Sequence, residues 1–459
     1  MLRLTPAHPV ATVWDSMLPP EVCALPDDLA RLDTLLSAPS MLEPFQTHWD
    51  QTARTQGRPS LAMAVYLRLM VIKHRTGWGY ETLVREVSDS LHLRRFCLLA
   101  LHHPAPHEST VRKLTRRLGS GVVDDLIRGL IARAQRERHF RPRAMRVDST
   151  VAEADIRFPT DVGLCSDAVR RLARDARRVM KVIPTVARRV RDRSRAVGRR
   201  IWALSRALRR RTGQARQAVQ RYTEQAAAAV GRSLGEARRL LKDARNRRSR
   251  TKATSPHGRR RVLQRLGRSI EMAVRLVEQI RLRFAGKKIP ERLVSLADPD
   301  ARPIRRGKPA KPNEFGYVVQ FAELTPHTRR GARGLILPPK LRPGSTHDNT
   351  LLPETVAELT ALDLRPREAA FDAGFTPKAT AEALGALPCT PFIAGCSRPD
   401  SPATRRRLRR YRVGCEGRIA HIKRGYGAGR SRLRGTEGAR IWEGWAVLAY
   451  DLDTLAASG

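Results

Sequence analysis

Acidic charge is the scarcest resource in this chain of 459 residues: 44 Asp and Glu stand against 88 Lys and Arg, for a net charge of +44. A surface so unbalanced points to a polyanion as partner. Paired cysteine motifs are missing too. The six cysteines (Cys23, Cys97, Cys165, Cys389, Cys396 and Cys415) include no Cys-x-x-Cys. This excludes a standard zinc ribbon, argues against a disulfide scaffold, and fits a reducing cytosol. The 12 histidines form no His-Glu-x-x-His, so zinc hydrolysis has no support. Long apolar runs are also lacking. Leu61–Ile72 is too short to cross a bilayer and is broken by Arg68. The first residues lack the charged and apolar regions of a secretory signal, so a cytoplasmic protein is expected, with no membrane partner.

A core is nevertheless within reach, since 41% of residues are hydrophobic, and the length suggests several domains. The charge is unevenly spread. Residues 171–290 contain 37 Lys/Arg and 7 Asp/Glu, a net of +30. Helical stripes run through this block: Ile201, Leu204 and Leu208, then Leu266, Ile270, Val274 and Val277. Pro184 and Ser255-Pro256-His257-Gly258 interrupt it, so two or three long helices in an antiparallel hairpin are expected. One reading is a solvated hairpin. The other is nucleic-acid contact, favoured because like charges at this density repel unless phosphates or counterions neutralise them.

Residues 40–120 read as helical. Leu61–Lys73 is expected as an amphipathic helix behind a Gly57-Arg58-Pro59-Ser60 cap. Glu81–Leu93 and Ser109–Leu118 follow as two more. Short helices with tight turns suit a helix-turn-helix reader or an ordinary small bundle. Strands are expected after residue 140, at Ala144–Val147, Phe315–Ala322, Gly334–Leu337, Ala369–Phe371 and Pro391–Ala394. Helices are expected at Leu351–Leu362, Leu408–Arg424 and Ile441–Leu452. The pattern gives an α/β layer with a mixed sheet, interrupted by the basic block and preceded by helices.

Two acids, Asp148 and Asp372, follow strand-like runs directly, and strand ends in open sheets are where ligands bind. Hard oxygen ligands there suit Mg²⁺, which takes one or two carboxylates beside water and phosphate. The plainer reading is that each Asp caps a turn. Arg412, Glu416 and Lys423 fall on one helical stripe, as either a phosphate- and metal-facing set or an ordinary helix ion pair. Gly425-Tyr426-Gly427-Ala428-Gly429 follows a helix and lacks a Walker ending, so it reads as a turn passing DNA. His347-Asp348-Asn349 reads as a turn rather than a metal cluster, and Trp442 and Trp445 as core.

Taken together, these residues resemble the DDE transposases of bacterial insertion sequences, the group with a Tyr-x2-Arg-x3-Glu-x6-Lys signature. Arg412-x3-Glu416-x6-Lys423 fits the spacing. Val147-Asp148-Ser149-Thr150-Val151 and Phe371-Asp372-Ala373-Gly374-Phe375 resemble the first and second acidic motifs. Arg302–Lys308 with Asn313-Glu314-Phe315-Gly316, the stretch Arg430–Gly435 and the helical region around Leu61–Arg95 are similar as well. The signature tyrosine position holds Arg409, and Tyr411 lies two residues later. The resemblance implies an RNase H-like catalytic domain (136–170 and 291–459) and extends to the N-terminal helical domain (1–135), expected to bind DNA; the basic helical insertion (171–290) lies outside it and is read from its own arginines. The resemblance further implies that Asp148, Asp372 and Glu416 hold two Mg²⁺ ions, with Mn²⁺ as substitute, and that Arg412 and Lys423 bind DNA phosphates. The implied partner is double-stranded DNA, with the protein forming a homo-oligomer on it near the bacterial nucleoid. The competing readings are a non-catalytic DNA-binding protein and a decayed copy of the element.

Overall fold

A computed structural model describes residues 1–7, 13–50, 59–186, 188–208, 212–246, 256–305, 313–385, 387–397 and 401–457. Gly57, Arg58, Ser255 and the Arg306-Gly307-Lys308 end of one quoted motif lie outside the described residues. The chain divides into two compact units, Met1–Asp155 with Ile304–Gly459, and Ile156–Pro303. Among the described residues no helix is long and apolar enough to cross a membrane.

The first unit begins with seven helices: α1 (Pro20–Cys23), α2 (Asp27–Leu36), α3 (Glu43–Asp50), α4 (Met63–Thr76), α5 (Tyr80–Asp89), α6 (Leu91–Phe96) and α7 (Glu108–Arg136). The expected amphipathic character of α4 does not hold. Every residue from Met63 to His74 is buried, including Arg68, whose guanidinium reaches Asp33 at 2.7 Å and Ser37 at 3.0 Å. A helix buried all round is a core element rather than a recognition helix lying in a groove. Helix α7 kinks at Gly119, where φ is 77°, one residue past the expected helix end at Leu118. Its second half restarts at Ser120, whose backbone N–H donates to Glu437 at 2.7 Å.

Then comes the sheet. Its strands are β1 (Ala144–Ala154), β2 (Arg302–Ile304), β3 (Glu314–Thr325), β4 (Leu335–Ile336), β5 (Lys340–Pro343), β6 (Glu368–Phe371), β7 (Thr390–Ile393) and β8 (Arg430–Ser431). Strand β3 pairs antiparallel with β1, and β4 and β5 pair antiparallel with β3. On its other side β1 runs parallel to β6, and β6 parallel to β7. Helices α12 (Leu352–Ala361), α13 (Pro377–Leu384), α14 (Pro402–Gly425) and α15 (Thr436–Ala456) complete the unit. The apolar runs seen in sequence overlap these elements; Gly334–Leu337 shortens to β4, and β1 is longer than its run. Polar residues alternate into its second half without ending the ladder.

The division does not fall near 135, because α15 packs on both α4 and α7. Trp445 meets Tyr66 edge-on at 5.8 Å, and the helical region and the last helix share one core. Among its described residues the second unit holds four helices rather than two or three: α8 (Asp161–Val182), α9 (Ser194–Leu208), α10 (Gly213–Asn246) and α11 (Pro256–Phe284). They enclose an apolar core of their own. The α11 stripe runs through Leu266, Ile270, Ala273 and Leu276, whereas Val274 is exposed. Asp175, 1% exposed, gathers Arg178 at 2.9 Å, Arg265 at 3.1 Å and Ser269 at 2.7 Å.

Helix α14 is docked by one buried guanidinium. Arg146 on β1 donates to Glu323 on β3 at 2.7 Å, to the Tyr411 carbonyl at 3.1 Å and to the Ala332 carbonyl at 3.1 Å. A Cβ at Gly414 would stand 2.2 Å from Arg146 Nη1, whereas one at Gly417 would meet nothing within 4 Å. Gly414→Ala is therefore expected to destabilise by about 1–3 kcal/mol, because the pinned guanidinium cannot yield. Gly417→Ala is expected to stabilise by up to about 1 kcal/mol through helix propensity. Denaturant melts of the two variants, shifted in opposite directions, check this.

Candidate active site

The register of β1 against β6 builds the site. Val147 pairs with Phe371, so the next residues along the two parallel strands, Asp148 and Asp372, are neighbours. Adjacent strands lie about 4.8 Å apart. Asp372 follows the end of β6, as expected. Asp148 instead lies in the middle of β1, opposite Phe321 of β3, so the expectation that it ends its strand is corrected. It stands just past the last residue of β1 that pairs with β6; among the described residues the next parallel pairing of β1 is with β8, at Glu153 and Ala154.

Glu416 comes from α14, and Arg412 one turn earlier ties it in. The Arg412 guanidinium donates to Asp372 Oδ1 at 2.7 Å and to Glu416 Oε1 at 2.6 Å. Burial pushes the Asp148 carboxyl up from the ordinary 3.8 to about 6. The Ser149 N–H, donating at 2.7 Å, opposes this, while the charges of Asp372 and Asp348 reinforce it; Arg412 draws the value back. Arg412 is thus the cation these acids share. Among the described residues no group of three or more His, Cys, Asp or Glu side chains is set as a metal cage.

Asp348 is the residue whose place among the acids its sequence context conceals. The His347-Asp348-Asn349 segment is indeed a turn. His347 Nδ1 accepts from the Asn349 N–H, and Asn349 Oδ1 accepts from the Thr376 N–H at 2.9 Å. The same turn brings the Asp348 carboxylate against the loop after Asp372, where a Cβ on Gly374 would lie 2.5 Å from Asp348 Oδ2. Gln320 of β3 fixes the turn by donating to the Asp348 carbonyl at 2.9 Å. A local turn signal does not reveal which distant carboxylates it will face.

Lys423 is placed differently from the acids. Its ammonium donates to Thr150 Oγ1 at 2.6 Å and to the Val151 carbonyl at 2.8 Å, fastening the far end of α14 to β1. Tyr411 does not face the acids either. It is 3% exposed, and its hydroxyl lies 2.6 Å from Thr325 Oγ1. Arg409 is exposed and lines a groove of about 740 Å³ with Arg329, Arg330, Arg406 and Arg410. Trp445 and Trp442 are buried, as expected of core residues.

The geometry therefore defines an acidic site at the end of a parallel strand pair, covered by an arginine-bearing helix. Residues 20–117, from the start of α1 into the first part of α7, match the family model of a transposase domain (DUF772). No curated protein and no solved structure matches the chain.

The carboxyl of Asp148 titrates higher in the folded chain than its ordinary 3.8, so the protonated form is favoured by folding. Its contribution to stability is present below that value and is lost as pH rises through about 6. Asp148→Asn is expected to melt higher than the parent at pH 8, by about 1–2 kcal/mol after allowance for solvent screening. The gap should close in acid. Thermal melts across pH, without divalent ions, read this directly; a variant that melts lower at pH 8 contradicts it.

Proposed function

We propose that the chain is a DDE-type DNA transposase, cleaving at the ends of a mobile element and joining those ends to target DNA. The observation that carries this is the neighbouring placement of Asp148 and Asp372 by strand register, with Arg412 linking Asp372 to Glu416. The match of residues 20–117 to a transposase domain supports it. So does the strand order, with β1 between an antiparallel β3 and a parallel β6, which agrees with the RNase H-like catalytic domain implied by the resemblance.

Asp148, Asp372 and Glu416 are the acids that would hold two Mg²⁺ ions, or Mn²⁺ in their place. The donor chemistry fits: all three are hard oxygen donors, and Asp148, raised first by burial and then by the charges of Asp372 and Asp348, is a carboxyl that a bound cation would help to ionise. Bound there, the ions would activate the attacking water or 3′-hydroxyl and stabilise the leaving oxygen in an in-line displacement. Arg412 would turn from the carboxylates to the phosphate being exchanged, positioning it by charge. Lys423 would hold α14 and the strand's backbone in place. One phosphodiester replaces another, so no external energy source is required. The acidic site lies in the first unit, and the basic second unit is read as the arm that grips DNA, with assembly into an oligomer on the nucleoid.

The competing reading, a non-catalytic DNA binder or a decayed element, draws on Arg409 at the signature tyrosine position and on buried Tyr411. Asp148→Asn, Asp372→Asn and Glu416→Gln are each expected to abolish Mg²⁺-dependent cleavage of element-end DNA, leaving gel-shift binding intact. Undiminished cleavage in all three removes the catalytic reading. The unit 156–303, which has its own core, is expected to bind duplex DNA alone, with affinity falling steeply as salt rises. A flat salt response would return its arginines to the role of a solvated surface.

A further inference from the structure

Seven residues along α14 from Glu416, about 10 Å at the usual rise, the first unit forms a second concave site. The loop Gly425–Gly429, together with residues of α4 and α15, lines a cavity of about 360 Å³. Two hydrogen-bonding side chains hold the loop in place. Trp442 Nε1 donates to the Gly427 carbonyl at 2.8 Å, and His74 Nδ1 lies 3.3 Å from the Tyr426 carbonyl. Gly427 adopts φ +79°, a conformation that favours glycine.

Lys73 sets this cavity apart. It is 2% exposed, and the charge acting on it is another cation, Arg432. Its ammonium lies 4.0 Å from the Trp442 ring centroid and 5.0 Å from that of Tyr80. Such ring contacts offset only part of the cost of burying an ammonium. Burial, with Arg432 beside it, lowers Lys73 from 10.5 to about 7. Nearby carboxylates do not balance the charge. Glu443 is fully buried, and burial holds its carboxyl well above the ordinary range. Glu153 is engaged by Arg430 at 3.1 Å, and Asp453 by Arg75 and the Tyr426 hydroxyl. Exposed Arg424 and Arg432 add further positive charge at the rim. A cavity with a buried amine beside another cation, a fixed glycine-containing loop and a basic rim is one that a bound anion would complete.

The geometry points to a phosphate site for a nucleic-acid strand, in which Lys73 is the buried counter-charge and Arg432 and Arg424 hold the approach. The distance along α14 matches about three base steps of a strand leading to the acidic site. This rests on reading the chain as a DNA-processing protein, but its test measures binding and not cleavage. It also gives a role to a residue inside the matched transposase domain, whose helix α4 has no exposed face.

The full chain, Lys73→Met and Arg432→Gln are compared for binding to a labelled duplex over a salt series, with circular dichroism as the folding control. Each variant is expected to bind roughly tenfold more weakly. The slope of log affinity against log salt should shrink by about 1, the change that follows when one phosphate is no longer neutralised by the protein. A second arm measures melting of the parent in inorganic phosphate against chloride at equal ionic strength. Stabilisation by phosphate that disappears in Lys73→Met supports the site. Parental slopes in both folded variants overturn the proposal. Phosphate stabilisation accompanied by parental DNA slopes also overturns it, since the cavity then takes a small free anion. If Lys73→Met fails to fold, Arg432→Gln decides. Should the acidic-site variants still cleave while the Lys73 and Arg432 slopes fall, the phosphate site stands and the catalytic reading alone is withdrawn.

Discussion

The arrangement of the acidic site depends on a buried ion pair, Arg146 with Glu323. Both are almost fully enclosed, at side-chain exposures of 4% and 1%. Glu323 also accepts from Arg418 at 3.1 Å and from the Gly334 N–H at 3.2 Å, so its carboxylate is satisfied on several sides. Arg146 is likewise committed to three backbone or side-chain acceptors. A buried pair is a weak source of net stability, yet removing one partner leaves a buried charge unmatched, at a cost of about 3–5 kcal/mol. Such an arrangement tolerates few alternatives. It ties β1, β3 and α14 together through two arginines and one glutamate, and it determines which face of α14 meets the sheet.

From that docking the rest of the site follows. With Tyr411 turned inward against Thr325, the residue after it, Arg412, reaches Asp372 and Glu416. Gly414 admits the Arg146 guanidinium that fixes the helix. Strand register supplies the other half, because parallel pairing of β1 with β6 sets Asp148 beside Asp372 whatever their side chains prefer. The carboxylates then repel one another, and the fold bears that repulsion with Arg412 as shared counter-charge. Strain of this kind, stored where charges of one sign are held together, is characteristic of functional sites.

Positive charge is managed in two ways in the two units. In the second unit, two buried acids, Asp175 and Asp161, each serve more than one arginine. The helical body around them has its own apolar core. In the first unit, charge is concentrated into concave places: the arginine-lined groove beside α14 and the cavity around Lys73. A polyanion is the common partner that both distributions suit.

The sequence by itself determined the elements. Hydrophobic periodicity marked the strands at β1, β3, β6 and β7 and the helices α12, α14 and α15, because burial acts locally through spacing. It also singled out Asp148, Asp372 and Glu416, since carboxylates beside apolar runs and on a cationic stripe stand out in so basic a chain. Tertiary structure decided what spacing cannot encode. Helix α4 proved buried all round because α15, far along the chain, packs on it. Asp148 proved to lie within a strand because its flanking residues pair on the antiparallel side. Lys423 proved to hold β1, and Asp348 to join the acids. Each of these depends on which distant segment a side chain meets, and that is fixed by the packing of the whole unit rather than by neighbours in sequence.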